Sequence, residues 1–201
     1  MRVVGLVILG LLVLVAVWAG AGINAIPTKE EGASAAWAQV LNQYQRRADL
    51  VPNLVATVKG AADFEKSTLE AVVQARAKVG TMQIPGDVLT NPEAMRAFEA
   101  NQGSLTSALS RLMVVVEQYP QLRATESFQT LQAQLEGTEN RIAVARRDFI
   151  EAVRDYNTEL KTFPGLIWKA LLYPDRQPMQ QLEVEPAKMD VPSVDFGTTG
   201  N

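Results

Sequence analysis

From Ala33 onward, hydrophobic positions recur at spacings of three and four, and no stretch sustains a period of two. The clearest run is Phe128, Leu131, Leu135, Thr138, Ile142, Ala145, Phe149, Ala152, Tyr156, Leu160 and Phe163. Such a seam faces partner helices. Thr125 is its candidate N-cap, and Pro164 stops it. A second run comprises Met95, Phe98, Gln102, Leu105, Leu109, Leu112, Val116 and Tyr119, closed by Pro120. It opens either on Asn91 as cap with Pro92 at the first helical position, or on a Thr90–Glu93 capping box. A link of about six residues between the two runs makes them antiparallel neighbours.

The first run includes Trp37, Leu41, Tyr44, Ala48, Val51, Val55, Val58, Ala62, Leu69 and Val72, in a helix from Ser34 to Val79. Pro52 lies inside it. Proline removes the bond to the Ala48 carbonyl, which predicts a kink or a short break. Gly80 is a C-cap candidate, and Ile84-Pro85-Gly86-Asp87 reads as a turn. Leu166 to Tyr173 is a brief apolar stretch expected to fold back over an end of the bundle. These elements predict an all-α body over 27–174: an antiparallel up-and-down bundle of three long helices plus a short fourth. Residues 175–201 carry Pro178, Pro186 and Pro192 and an acidic excess. They are expected to be extended or disordered.

Residues 1–26 follow a different pattern. Val3 to Ile23 are 21 consecutive positions without a charge, thirteen of them Leu, Ile or Val. A helix of that length reaches roughly 31 Å, matching a hydrocarbon core of about 30 Å. The apolar run exceeds the 7–15 residues usual in a cleaved signal, so a single-pass anchor is expected, although Ala19-Gly20-Ala21 resembles a cleavage site. Arg2 and the α-amine flank one side, and Lys29 beside Glu30 and Glu31 the other. By the positive-inside rule the N-terminus is cytoplasmic and the body extracytoplasmic, on a margin of about one charge. Ala16 and Gly20 form one small-xxx-small pair, which leaves a homo-oligomer as an open alternative.

Composition narrows the chemistry. The chain has 201 residues, no cysteine and no histidine. Thiol nucleophiles, disulfides, zinc fingers, Ser-His-Asp triads and histidine ligands are all excluded. A net charge of −3 argues against nucleic acid as the main partner. Glu136 and Glu139 lie one turn apart, but the Glu-x-x-His pairs of di-iron bundles are missing. No catalytic, cofactor-binding or metal-ligating residue is therefore assigned. The carboxylates read as a solvated helix face with ion pairs such as Lys66–Glu70. Arg46-Arg47 and Arg146-Arg147 are the basic doublets. In each, one arginine is expected to reach a carboxylate such as Asp49 or Asp148, and the other to face water. Asn53, Asn140 and Asn157 stand mid-helix, where Asn is a poor helix former. Asn53 and Asn140 are expected to make polar contacts across the bundle.

Longer blocks carry a resemblance. Ala36-Trp37-Ala38-Gln39-Val40 runs on to Gln43-Tyr44-Gln45-Arg46-Arg47-Ala48-Asp49-Leu50-Val51-Pro52-Asn53-Leu54-Val55, then Thr57-Val58-Lys59-Gly60 and Glu65-Lys66-Ser67-Thr68-Leu69-Glu70. Tyr119-Pro120-Gln121-Leu122-Arg123-Ala124 follows. A third block joins Leu131-Gln132, Glu139-Asn140-Arg141-Ile142-Ala143-Val144-Ala145-Arg146-Arg147, Tyr156-Asn157 and Phe163-Pro164. Together they resemble the LemA family over nearly the whole chain. Ala61 stands where family members often carry an aromatic. The resemblance implies a bacterial single-pass membrane protein with an antiparallel helical bundle. It implies no reaction, and associates the chain with envelope functions and membrane-linked proteases.

The expected function is a non-catalytic scaffold or adaptor of the cell envelope, anchored in the cytoplasmic membrane through 3–23 and touching an envelope protein through Arg46 to Lys59. An extracytoplasmic ligand-sensing receptor and a carboxylate-based enzyme are the alternatives.

Overall fold

Amphipathic runs of this length bury their apolar stripes only by packing against one another. The computed structural model describes residues 2–60 and 64–183, leaving aside the side chains at 2, 3, 12 and 14–21. Its helices are α1 (Arg2–Ile23), α2 (Ala25–Lys59), α3 (Lys66–Thr81), α4 (Pro92–Val116), α5 (Pro120–Arg123), α6 (Glu126–Lys161) and α7 (Gly165–Leu172). There is no strand among the described residues. Trp37 of α2 meets Phe98 of α4 and Phe149 of α6, while Arg47 meets Thr106 and Glu139. Numbers rise together along α2 and α4 and fall along α6. Glu65 pairs with Arg111, and Asn101 donates to Met82, so α3 descends beside α4. The body is thus an up-down-up-down bundle of α2, α3, α4 and α6.

The expected single helix over 34–79 is corrected to two helices, α2 and α3. The break comes after Lys59, at Gly60, and α2 continues through Pro52. One missing backbone bond is offset at Pro52 because Val51 and Leu54, on either side of it, are buried in the core. Gly60 has no such packing and a low helix propensity. Ala62 of the expected seam lies outside the described residues. Gly80 is inside α3, which ends at Thr81 rather than being capped by that glycine. The turn begins one residue late, with the Val88 amide donating to the Pro85 carbonyl. At the start of α4, Asn91 is the cap: its side-chain oxygen accepts from the amides of Glu93 and Ala94. Thr125 caps α6 by accepting from the Phe128 amide.

Buried polar groups divide the core. On one side lies an aromatic cluster with Trp37, Tyr44, Phe98, Phe149 and Tyr156. On the other lies a mainly aliphatic cluster with Val51, Leu54, Val58, Leu105, Leu112 and Leu135. Arg47, Gln102 and Thr138, all buried, fall between them. On α6 the expected seam is buried, apart from a shift to Val153 in place of Ala152 and the exposure of Phe163. A straight helix drifts about 20° per heptad, so two steps of four in succession restore the facing side.

Two boundaries shift. Ile26, expected in the anchor, is buried in the aromatic cluster. The tail, expected to be extended or disordered from 175, runs without regular secondary structure through Glu183 and is docked there, with Met179 and Leu182 in that same cluster. Asn157 holds it by donating to the Met179 carbonyl and accepting from the Met179 amide, both at 2.8 Å. Pro-rich chain without regular structure is thereby ordered by a side chain that replaces backbone partners. The remainder of that tail, 184–201, lies outside the described residues. The brief fold-back helix expected over Leu166 to Tyr173 is present as α7, which meets α6, α2 and the end of α1 and sets Trp168 against the aromatic cluster while leaving Leu166, Ile167, Leu171 and Leu172 exposed.

The segment expected to span the membrane is helical as α1. Among the described residues no helix is long and apolar enough to cross a membrane. Part of the 3–23 expectation, the side chains at 3, 12 and 14–21, lies outside the described residues.

Candidate functional site: the groove between α4 and α6

α2 packs along α6 and α3 along α4, whereas α4 and α6 stand apart over a groove. Its volume is about 980 Å³. Tyr44 and Arg47 form the floor. Arg96, Glu99, Gln102 and Thr106 line the α4 wall, and Glu139, Ala143, Arg146 and Arg147 the α6 wall; Glu183 closes one end. A second hollow of about 570 Å³ continues between the same helices toward Met113 and Gln132, sharing Thr106 and Glu139 with the first.

Arg47 defines the floor. Its side chain is 1% exposed. One terminal nitrogen donates to Thr106 Oγ1 at 2.8 Å and Glu139 Oε1 at 3.0 Å. The other donates to Gln102 Oε1 at 2.9 Å and the Gln102 carbonyl at 3.2 Å. The guanidinium also lies 5.0 Å from the centre of the Tyr44 ring, at cation–π distance. Its Nε has no partner among the described residues. A buried charge is tolerable only with such a complement of acceptors. The network continues outward. Arg146 donates to the Tyr44 hydroxyl at 3.0 Å and to the Glu183 carbonyl at 2.6 Å, and lies 3.7 Å from Glu99. The Glu183 amide donates to Glu99. The tail and α4 are thus stitched to α6 at the groove's end.

The arginine doublets split. Arg46 is exposed and Arg47 buried. The partner of Arg47 is Glu139 across the bundle, not Asp49, whose carboxylate accepts instead from Gln45. Arg147 does pair with Asp148, at 2.9 Å, but Arg146 is held in the network rather than free in water.

Arg47 could be located from spacing. Trp37, Val40, Tyr44, Arg47, Val51, Leu54 and Val58 alternate steps of three and four without error, and all are buried. A search for apolar residues alone selects Leu41, Ala48 and Val55 and leaves Arg47 on the surface. Of the stretch Arg46 to Lys59 expected as a contact surface, Arg47, Ala48, Val51, Leu54 and Val58 are therefore interior. Asn53 and Asn140 are both exposed, so the expected cross-bundle contacts by their side chains are corrected. Asn157 makes the long-range contacts. Glu136 accepts from Gln132 within α6, and Lys66–Glu70 is an exposed pair at 3.5 Å. Among the described residues no three acidic side chains gather to hold a metal ion. What the groove offers is a set of fixed donors and acceptors on its floor and walls, which suits binding.

A model of the LemA family matches residues 36–196. Magnetosome proteins MamQ 1 and MamQ 2 of Paramagnetospirillum magneticum are each 33% identical over 88 residues, covering 44% of this chain and 31% of their own length. Magnetosome protein MamQ of Magnetospirillum gryphiswaldense is 29% identical over 160 residues, covering 70% of this chain and 58% of its own length. The chain thus spans less than two thirds of each of these curated relatives. The family match takes in α2 from Ala36, every later helix and the docked segment that ends the groove, and on that extent the chain belongs to the LemA family.

Proposed function

We propose that this chain is a non-catalytic scaffold of the bacterial cell envelope that docks a segment of a partner protein in the α4/α6 groove. Residues 3–23 anchor it in the cytoplasmic membrane, with the N-terminus cytoplasmic and the bundle outside. The observation that carries the docking site is the groove itself. It is a long hollow between two bundle helices, floored by a buried arginine whose acceptors come from both walls. Family membership and the likeness to magnetosome proteins support membrane association and a non-catalytic role. The uncharged run Val3–Ile23 supports the anchor.

A photocrosslinking residue at Ala143, within the groove, tests this in native membranes, with Asn53 on the exposed face of α2 as control. The expected result is a discrete protein adduct from Ala143, absent from Asn53. It should be lost when Gly103→Leu fills the groove, where an added side chain meets open space. Adducts only to lipid or to the chain itself would remove the scaffold reading. A reporter fused at the C-terminus is expected to be active outside the cytoplasm; activity inside would invert the topology.

A further inference from the structure

The apolar surface of α7 has no use inside the bundle. Leu166, Ile167, Leu171 and Leu172 are 53%, 42%, 70% and 50% exposed, and Phe163 just before them is 69% exposed. Gly165 is the buried residue of this helix, because its Cα approaches α6 too closely for a side chain: a Cβ there would lie 2.1 Å from the Glu159 carbonyl oxygen. That contact fixes α7 against the end of α6.

α7 is also fixed to the end of α1. The Tyr173 hydroxyl donates to the Ile23 carbonyl at 3.2 Å. A Cβ at Gly22 would lie 2.6 Å from the Trp168 ring nitrogen. These contacts set α7 beside the last turn of the apolar segment, where the chain passes from that segment to the bundle. Trp168 and Tyr173 stand at the same level, as aromatic side chains do at a membrane–water boundary. The nearby cations divide by role. Lys29 and Arg176 pair with Glu159 and Glu30. Lys161 and Lys169 form no ion pair among the described residues, so their charge is available to headgroups.

We infer that α7 is a second membrane contact: a short monotopic helix whose Phe163, Leu166, Ile167, Leu171 and Leu172 enter the bilayer interface beside the exit of α1, holding the bundle at a set orientation on the lipid surface. The occupant is lipid rather than a protein because the patch is continuous with the end of the anchor. It rests on the reading of residues 3–23 as a membrane anchor. An interfacial helix of this kind buries its apolar face about 5–10 Å deep, shallower than a spanning segment.

The absence of cysteine makes the test direct. Single substitutions Leu171→Cys, Leu9→Cys and Val144→Cys, in the full chain reconstituted in phosphatidylglycerol-containing vesicles, are each labelled with an environment-sensitive fluorophore. Emission is then quenched by nitroxide lipids of shallow or deep placement, or by aqueous iodide. The expected result is that the Leu171→Cys label loses most emission to the shallow lipid and little to iodide. The Leu9→Cys label should respond to the deep lipid, and the Val144→Cys label, on the exposed face of α6, to iodide. If Leu171→Cys responds to iodide while Leu9→Cys responds to lipid, α7 is not a membrane contact and the anchor stands. If both respond to iodide, the anchor reading falls and this inference with it. A double substitution Leu166→Glu/Ile167→Glu, judged folded by circular dichroism, should transfer the Leu171→Cys label from lipid to iodide quenching. Unchanged lipid quenching would overturn the role of this face.

Discussion

The two halves of the core use one heptad-like pattern and close it differently. The aromatic half sets Trp37 edge-to-face on Phe98 and tilted on Phe149, with ring centroids 4.9 and 5.2 Å apart, and Tyr44 edge-to-face on Phe98 at 5.3 Å. It is completed by Met179 and Leu182, far away in sequence. The aliphatic half is completed by α3 and by Leu122 of α5, beside the helices they connect. In the aromatic half an extended strap sets Met179 and Leu182 against the rings. The mainly aliphatic half, which includes Phe128, is sealed by helix packing. The polar layer of Arg47, Gln102 and Thr138 keeps these two solutions in register.

The largest expected break comes from the rings. Phe149→Ala should destabilise the bundle by about 3–5 kcal/mol, against about 2–5 for Leu54→Ala in the aliphatic half, read by chemical denaturation. An aromatic substitution no costlier than the aliphatic one would deny the aromatic half its distinct packing. Next is the layer between them. Arg47→Ala should cost about 3–5 kcal/mol, because it strands Gln102 and Thr106 around a cavity, while Arg47→Met should cost much less. Arg46→Ala, at an exposed site, should stay within about 0.5 kcal/mol. Equal losses for Arg46 and Arg47 would show that the layer does not hold the halves together.

The strap gives a smaller effect. Asn157→Ala removes both hydrogen bonds to Met179 and should cost about 1–3 kcal/mol, with loss of exchange protection at the Met179 amide. Asn140→Ala, exposed on the same helix, should be nearly neutral. Unaltered protection at Met179 would mean that Met179 and Leu182 alone retain the strap.

The smallest effect is electrostatic. Burial raises the Tyr156 hydroxyl above its ordinary pKa of 10.0, the Glu30 carboxylate adds to this, and Arg176 opposes it. The folded chain then keeps a proton that the unfolded chain releases. The contribution is complete below about pH 10 and declines as pH rises through the folded value. Tyr156→Phe should flatten the fall in stability on the alkaline side, as seen in melts across that range; an unchanged slope would remove Tyr156 from the account.

Much of the fold was legible because helical burial imposes a period that survives in one dimension. The seams of α4 and α6, the Asn91 and Thr125 caps and the stops at Pro120 and Pro164 are local properties, each set within a turn or two of chain. The candidate site was less legible for the same reason. Arg47 occupies an interior position, yet its charge marks it as surface unless acceptors from α4 and α6 are known to arrive. Asn157 looked like Asn53 and Asn140 because all three are mid-helix; what separates them is the strap that only one of them meets.

By itself, then, the amino-acid order determined that the body is helical, the apolar seams of α4 and α6, and that histidine and cysteine chemistry is absent. Tertiary structure decided where the first long run breaks, which arginine is buried, how the segment after Pro174 is docked, and that α7 presents its apolar side outward. These depend on partners distant in sequence. A proline is tolerated when flanking side chains are buried, a charge when acceptors surround it, and an irregular strap when a side chain satisfies its backbone. No periodicity along one segment carries that information.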